Sequence, residues 1–147
     1  LTRTIRHIER ITEMIRERGM IPGLSTHRPE SVVYADGQGY DVASYIQIYN
    51  AAGFMMPLEV DWHHRIIRNA KQPVMTIKPM AAGRLLPLVG LAFAWATVRD
   101  CDMVTVGTMT PDEAREDIEI SLSVLEDRQA NVELQRTRSK ATVEPRA

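Results

Sequence analysis

Four times along this chain a short run of strand-forming residues gives way to a polar or glycine-bearing turn and then to a helical stretch. That alternation constrains the fold more than any other feature, because strand–helix–strand units build parallel sheets with helical crossovers. The clearest copy is residues 73–85, PVMTIKPMAAGRL. Pro73 closes off what precedes it, and Val74, Thr76 and Ile77 favour a strand. The run then breaks at Lys78-Pro79, and Gly83 follows Ala81-Ala82. A buried parallel strand that delivers a Lys and a small-residue loop to one rim has this form.

The remaining segments repeat the plan. In residues 1–18, Ile5, Ile8, Ile11 and Ile15 recur at helical spacing among Arg and Glu, and Gly19 ends the helix. Residues 20–24 are expected to form the first strand, with Ser25-Thr26-His27 at its rim. Pro29-Glu30 opens a brief helix over 29–35, closed by an Asp36-Gly37-Gln38-Gly39 turn. Residues 42–49 form the second strand and end at Asn50. The following loop, 51–57, is apolar for a surface loop and is expected to line or cover a pocket. Residues 60–71 read as a helix capped near Asp61 and packed through Trp62, Ile66 and Ile67. After the 74–77 strand, residues 87–98 form a buried helix with Leu91, Phe93, Ala94 and Trp95. The fourth strand is 103–106. Thr110 caps the last helix, Pro111 takes its first position and Glu113 closes the box. Ala114, Ile118, Leu122 and Leu125 are its expected inward face.

The expected fold class is therefore α/β, with a helix followed by four parallel βα units. A complete (β/α)8 TIM barrel takes about 250 residues and eight units. Residues 1–128 are read as half of such a domain, and residues 129–147 as a polar C-terminal tail. Half a barrel leaves two bare sheet edges. The missing four units are expected upstream, since the chain does not open on Met, with pairing of two copies as the alternative.

Composition excludes several classes. The formal net charge of -1 gives no electrostatic case for a nucleic-acid or anionic-membrane partner. A single cysteine, Cys101, cannot form an internal disulfide and fits a reducing, cytoplasmic setting. The longest apolar run, 87–98, is too short to span a bilayer.

The four rim segments together resemble the C-terminal half of the aldo-keto reductase superfamily. Residues 23–30, GLSTHRPE, are similar to its fifth strand and loop, and residues 41–50, DVASYIQIYN, to its sixth. Residues 78–84, KPMAAGR, resemble its seventh-strand Ser-Pro-Leu-x-x-Gly loop. Residues 106–117, VGTMTPDEARED, resemble the eighth-strand segment that ends in Glu-Asn. The likeness is closest to a divergent branch carrying Lys-Pro-x-Ala-Ala-Gly-Arg, with a Trp-His pair like Trp62-His63 upstream. It implies NAD(P)-dependent oxidation or reduction of a carbonyl or alcohol in a small-molecule substrate. The cofactor is NADP or NAD, with its phosphates on Arg84, Gly107 and Thr108 and its nicotinamide near Ser25 and Thr26. Its adenine end is placed near Glu116 and Asp117. The chain departs from the pattern at Ile46, where the family has a nicotinamide-holding Gln, at Lys78 for Ser, and at Asp117 for Asn. The family's catalytic Asp, Tyr, Lys and His belong to the half of the barrel this chain lacks.

Read on their own chemistry, the same residues leave alternatives open. A Gly107–Thr108 loop entering a helix presents free N–H groups and a dipole end to a phosphate, or is simply a good cap. Lys78, at a strand's C-terminal end, binds an anion or forms a Schiff base, or else only packs its stem. His27 is a candidate acid or base. No second ligand stands at a recognisable spacing from it, so no metal site is expected. Lys78 and His27 together define a second reading, a cofactor-free barrel lyase or isomerase. A third is a non-catalytic barrel module. His63 and His64 are adjacent on one helix, so one is expected solvated and one packed. Cys101 is placed away from the rim and is expected to be inert.

Overall fold

A computed structural model describes residues 4–132. Its elements alternate as the sequence predicts: α1 (Ile8–Arg16), β1 (Leu24–Ser25), α2 (Glu30–Gln38), β2 (Tyr45–Ile48), α3 (Val60–Asn69), β3 (Val74–Ile77), α4 (Pro87–Thr97), β4 (Met103–Thr105) and α5 (Pro111–Leu125). A short 3-10 turn, Ala81–Gly83, interrupts the loop before α4. The strands form one sheet in the order β1-β2-β3-β4, and every pairing is parallel. The fold is thus mixed α/β, with four parallel strands and five α-helices among the described residues. No helix among them is long and apolar enough to cross a membrane. The polar tail predicted for 129–147 lies outside the described residues from position 133 onward.

Side-chain alternation gives the sheet two unlike faces. Tyr45, Tyr49 and Val74 pack with Val32 and Ala35 of α2, Ile67 and Ala70 at α3, and Val98 after α4. Leu24 and Val104 lean on the same core. The opposite parity places Ser25, Ile46, Met75, Ile77, Met103 and Thr105 on the other face. Each of these six is exposed or half-buried, while Ile48, which shares their parity, is wholly buried. β1 and β4 are the sheet's edges, each with a single neighbour.

The strand starts are tied by one ion pair. Asp102 is buried and accepts from Arg99 Nε at 2.9 Å and Nη2 at 2.7 Å. It also accepts from the Val74 amide at 2.8 Å and the Arg99 amide at 2.9 Å. Arg99 in turn donates to the carbonyls of Ala70 and Gln72. Burial pushes the Asp102 carboxyl up, but the Arg99 side chain and the two amides outweigh it and hold it below the ordinary value.

Several expectations need correction. The first strand is Leu24–Ser25, not residues 20–24; Met20 and Ile21 are exposed and pair with no strand. Asp36 to Gln38 continue α2, which ends at Gly39 in the left-handed conformation. Asp36 stays helical because its carboxylate accepts from Tyr45 Oη at 2.6 Å and the Lys71 amide at 2.9 Å. The N-cap position of α3 is Glu59; Asp61 instead pairs with Arg65 at 2.8 Å. Trp62 is 53% exposed and lies under Arg65, while His63 and Ile67 are the buried residues of α3. The largest correction concerns α5. Ile118, Leu122 and Leu125 face outward, and Asp117, Ile120 and Ser123 are buried in their place. α5 packs on α4, which presents Leu91 and Ala94, and that contact selects a different face from the apolar stripe.

Candidate functional site

Parallel pairing brings all four strand C-termini to one rim. Ser25 pairs with Ile46, Ile48 with Ile77, and Ile77 with Thr105. The residues that follow, Thr26-His27, Asn50, Lys78 and Gly107-Thr108, therefore open onto a common end of the sheet.

Two neighbouring rim loops are in contact, and their chemistry is the most developed. The β2–α3 loop is fixed by Asn50, which is wholly buried. Its Oδ1 accepts from the Phe54 amide at 2.8 Å, and its Nδ2 donates to the Phe54 carbonyl at 3.1 Å. Gly53 and Met55 hold the left-handed backbone that this tight path demands, and Met56 returns to the core. The β3–α4 loop begins at Lys78, φ 61°, and continues through Ala81, Ala82 and Gly83, all at positive φ. Left-handed backbone is costly for residues other than glycine and persists only where the surroundings enforce it. Here α4 enforces it: Gly90 approaches so closely that a Cβ would lie 2.7 Å from the Pro79 carbonyl oxygen. The loop amides are largely consumed internally, with Ala81 donating to Lys78, and Gly83 and Leu85 to Met80. Side chains, not a backbone cradle, are what this loop offers a ligand.

Those side chains are Lys78 and Arg84. The Arg84 guanidinium sits 4.0 Å from the centroid of the Phe54 ring, and Lys78 Nζ lies 3.4 Å from Met55 Sδ. No ion pair to either cation is found among the described residues. Two cations on one loop at the C-terminal end of a parallel sheet suit an anionic ligand.

The other predicted site residues are placed as follows. Ser25 is on the open face and exposed. The Thr26 hydroxyl accepts from the Arg28 amide at 3.0 Å, and so is occupied in shaping its loop. His27 is exposed on that loop. Gly107 and Thr108 are exposed before α5. There the helix start is served from within: Thr110 Oγ1 accepts from the Glu113 amide at 3.1 Å, and Glu113 accepts from the Met109 amide at 2.7 Å. Asp112 and Glu113 also place two carboxylates in the first turn. Glu116 is half-buried. Asp117 is buried against the neighbouring helix, and its carboxyl is pushed up to about 6 by burial, then by Glu116 and Glu113. Ile46, where the resemblance has a nicotinamide-holding Gln, is half-buried on the open face. Gln47 points to the helix side, where its Nε2 donates to the Thr26 carbonyl at 2.8 Å.

One histidine of the 63–64 pair is expected packed, and His63 is that residue. His63 is wholly buried, neither histidine of the 63–64 pair is fully exposed, and His64 Nδ1 meets Tyr49 Oη at 3.2 Å. Burial pushes the His63 imidazole down, against the pull of the Ile48 carbonyl and Glu30. Asn50 was seen only as a strand end; no spacing rule marks it as a loop clasp. Cys101 is exposed in the turn before β4, at the end of the sheet opposite the rim. Among the described residues no group of three His, Cys, Asp or Glu is placed to hold a metal. No protein-family model, no curated protein and no solved structure matches this chain.

Proposed function

We propose that this chain is the C-terminal half of a (β/α)8 barrel that binds NADP or NAD and belongs to an oxidoreductase of aldo-keto reductase type, acting on a carbonyl or alcohol. One observation supports the reading above the others: Lys78 and Arg84 stand together on the β3–α4 loop at the C-terminal end of four parallel strands. In such barrels the phosphate of a ligand sits at that end, after the last strands. Two cations with no ion pair among the described residues match the charge of a dinucleotide's diphosphate. Gly107 and Thr108 border the same rim, but the Asp112 and Glu113 carboxylates shift the favoured anion position toward Arg84 and Lys78. Ser25 on the open face, with Thr26 beside it, is the place for the nicotinamide. Asp117 is buried, so the adenine end is left to Glu116 and its surroundings. When bound, the nicotinamide supplies or accepts the hydride. The residues of this chain bind and orient, and the proton-transfer groups belong to the other four βα units.

Calorimetric titration with NADPH and NADH is the test. Binding of one or both is expected, weakened about tenfold or more when Arg84→Ala and Lys78→Ala are combined. Absence of heat at millimolar cofactor discards the cofactor reading. A lyase reading rests on the strained backbone of Lys78. It gains instead if borohydride traps a carbonyl substrate on that amine.

A further inference from the structure

β1 is only two residues long, Leu24–Ser25, yet the chain beyond it is still fastened to β2. One buried side chain does most of the fastening. Gln47 is 1% exposed and lies on the helix side of β2, the side of Tyr45 and Tyr49. Its Nε2 donates to the Thr26 carbonyl at 2.8 Å and to the Ile46 carbonyl at 3.0 Å. The Thr26 amide donates to the same Ile46 carbonyl at 3.2 Å, and the Thr26 hydroxyl accepts from the Arg28 amide at 3.0 Å. Every polar group of Thr26 is thus engaged in holding the loop. Ser25, its neighbour on the open face, is exposed and is the hydroxyl that this strand end offers a ligand.

Stability alone does not explain an amide at position 47. Burying one is costly unless its hydrogen bonds are made, and Gln47 Oε1 finds no partner among the described residues. A methionine would fill a similar volume without that cost. What the amide supplies, and a methionine cannot, is the tie to Thr26.

We propose that Gln47 is a positioning residue for the nicotinamide end of the site. It works from the opposite face of the sheet, holding Thr26 so that Ser25 keeps its place at the strand end. The inference rests on reading Ser25 as the place for the nicotinamide, and it adds the residue that sets that place.

The test titrates the full chain with NADPH and NADH and, separately, with inorganic pyrophosphate, which probes the Lys78 and Arg84 end alone. Gln47→Met is expected to weaken dinucleotide binding about three- to tenfold, the worth of an ordinary hydrogen bond, and to leave pyrophosphate unchanged. Ser25→Ala is expected to weaken the dinucleotide by a similar factor. Adding Gln47→Met to Ser25→Ala is expected to change it by less than about twofold, because both residues act through one contact. Gln47→Asn keeps the amide but shortens its reach by one methylene, so it is expected to behave as Gln47→Met does. Without any ligand, the Arg28 amide is expected to exchange with solvent about three- to tenfold faster in Gln47→Met.

Additive losses in the double variant, an equal loss of pyrophosphate affinity, or full dinucleotide affinity in Gln47→Met or Gln47→Asn overturns the positioning role and leaves the dinucleotide reading standing. Unchanged exchange at Arg28 does the same. No binding of NADPH or NADH by the unaltered protein overturns the positioning role and the dinucleotide reading together.

Discussion

Asp117 shows how one side chain can work against the fold that holds it. Its ordinary value is 3.8, and in the folded chain it is pushed up to about 6, first by burial and then by Glu116 and Glu113. A raised folded value means that the folded state holds the proton more tightly than the unfolded chain does. The resulting stability is present below about pH 4 and lost as pH rises through about 6. At neutral pH the ionised, desolvated carboxylate is a cost on the order of 1–2 kcal/mol. Asp117→Asn is therefore expected to raise the melting temperature at pH 7.5 and to leave it nearly unchanged at pH 4. An equal shift at both pH values would show that the effect is packing and not charge. The resemblance places a cofactor's adenine end near Glu116 and Asp117, and the apolar spacing over 111–125 points to Ile118, Leu122 and Leu125 as the inward face, so neither foretells that Asp117 is buried. Periodicity identifies a stripe; it does not say which neighbour covers it.

At the level of elements, legibility followed the strength of the local signals. β3 was read at its observed bounds, Val74–Ile77, because Pro73 and Lys78-Pro79 punctuate both of its ends. Thr110 was read as the cap of α5 and does accept from the Glu113 amide, because Pro111 and Glu113 fix the register of that turn. β1 was misplaced because Met20 and Ile21 are apolar without being part of the sheet. Neither the Phe54–Arg84 contact, which joins two βα units, nor the Gly90 approach to Pro79, which depends on how α4 folds back on its own loop, was visible in the sequence. Gly90→Ala tests the second. Its Cβ would meet backbone, not a flexible side chain, so α4 or the 78–83 loop must shift. A loss of about 1–3 kcal/mol in chemical denaturation is expected, together with weaker pyrophosphate binding. Full stability with intact binding would mean that the close approach does not hold the Lys78 loop in place.

Across the whole molecule the described residues form a structure finished on one side only. α2, α3 and α4 cover one face of the sheet, while Met75, Ile77 and Met103 on the other keep some solvent contact. β1 and β4 are open edges, and Ile118, Leu122 and Leu125 present an uncovered stripe on the outside of α5. Bare parallel edges and contiguous apolar surface drive association. Sedimentation velocity of the 147-residue chain is expected to show association that grows with concentration. Replacing Ile118, Leu122 and Leu125 together by Gln is expected to reduce it without lowering the melting temperature, since all three side chains are already wet. A chain that stays monomeric at high concentration would contradict this picture of its surface. The Arg99–Asp102 knot carries a different lesson. It fastens the strand starts, at the opposite end from the loops that meet a ligand. Selectivity can therefore drift, or be redesigned by grafting new segments at 51–58 and 80–86, while the sheet keeps its register from below.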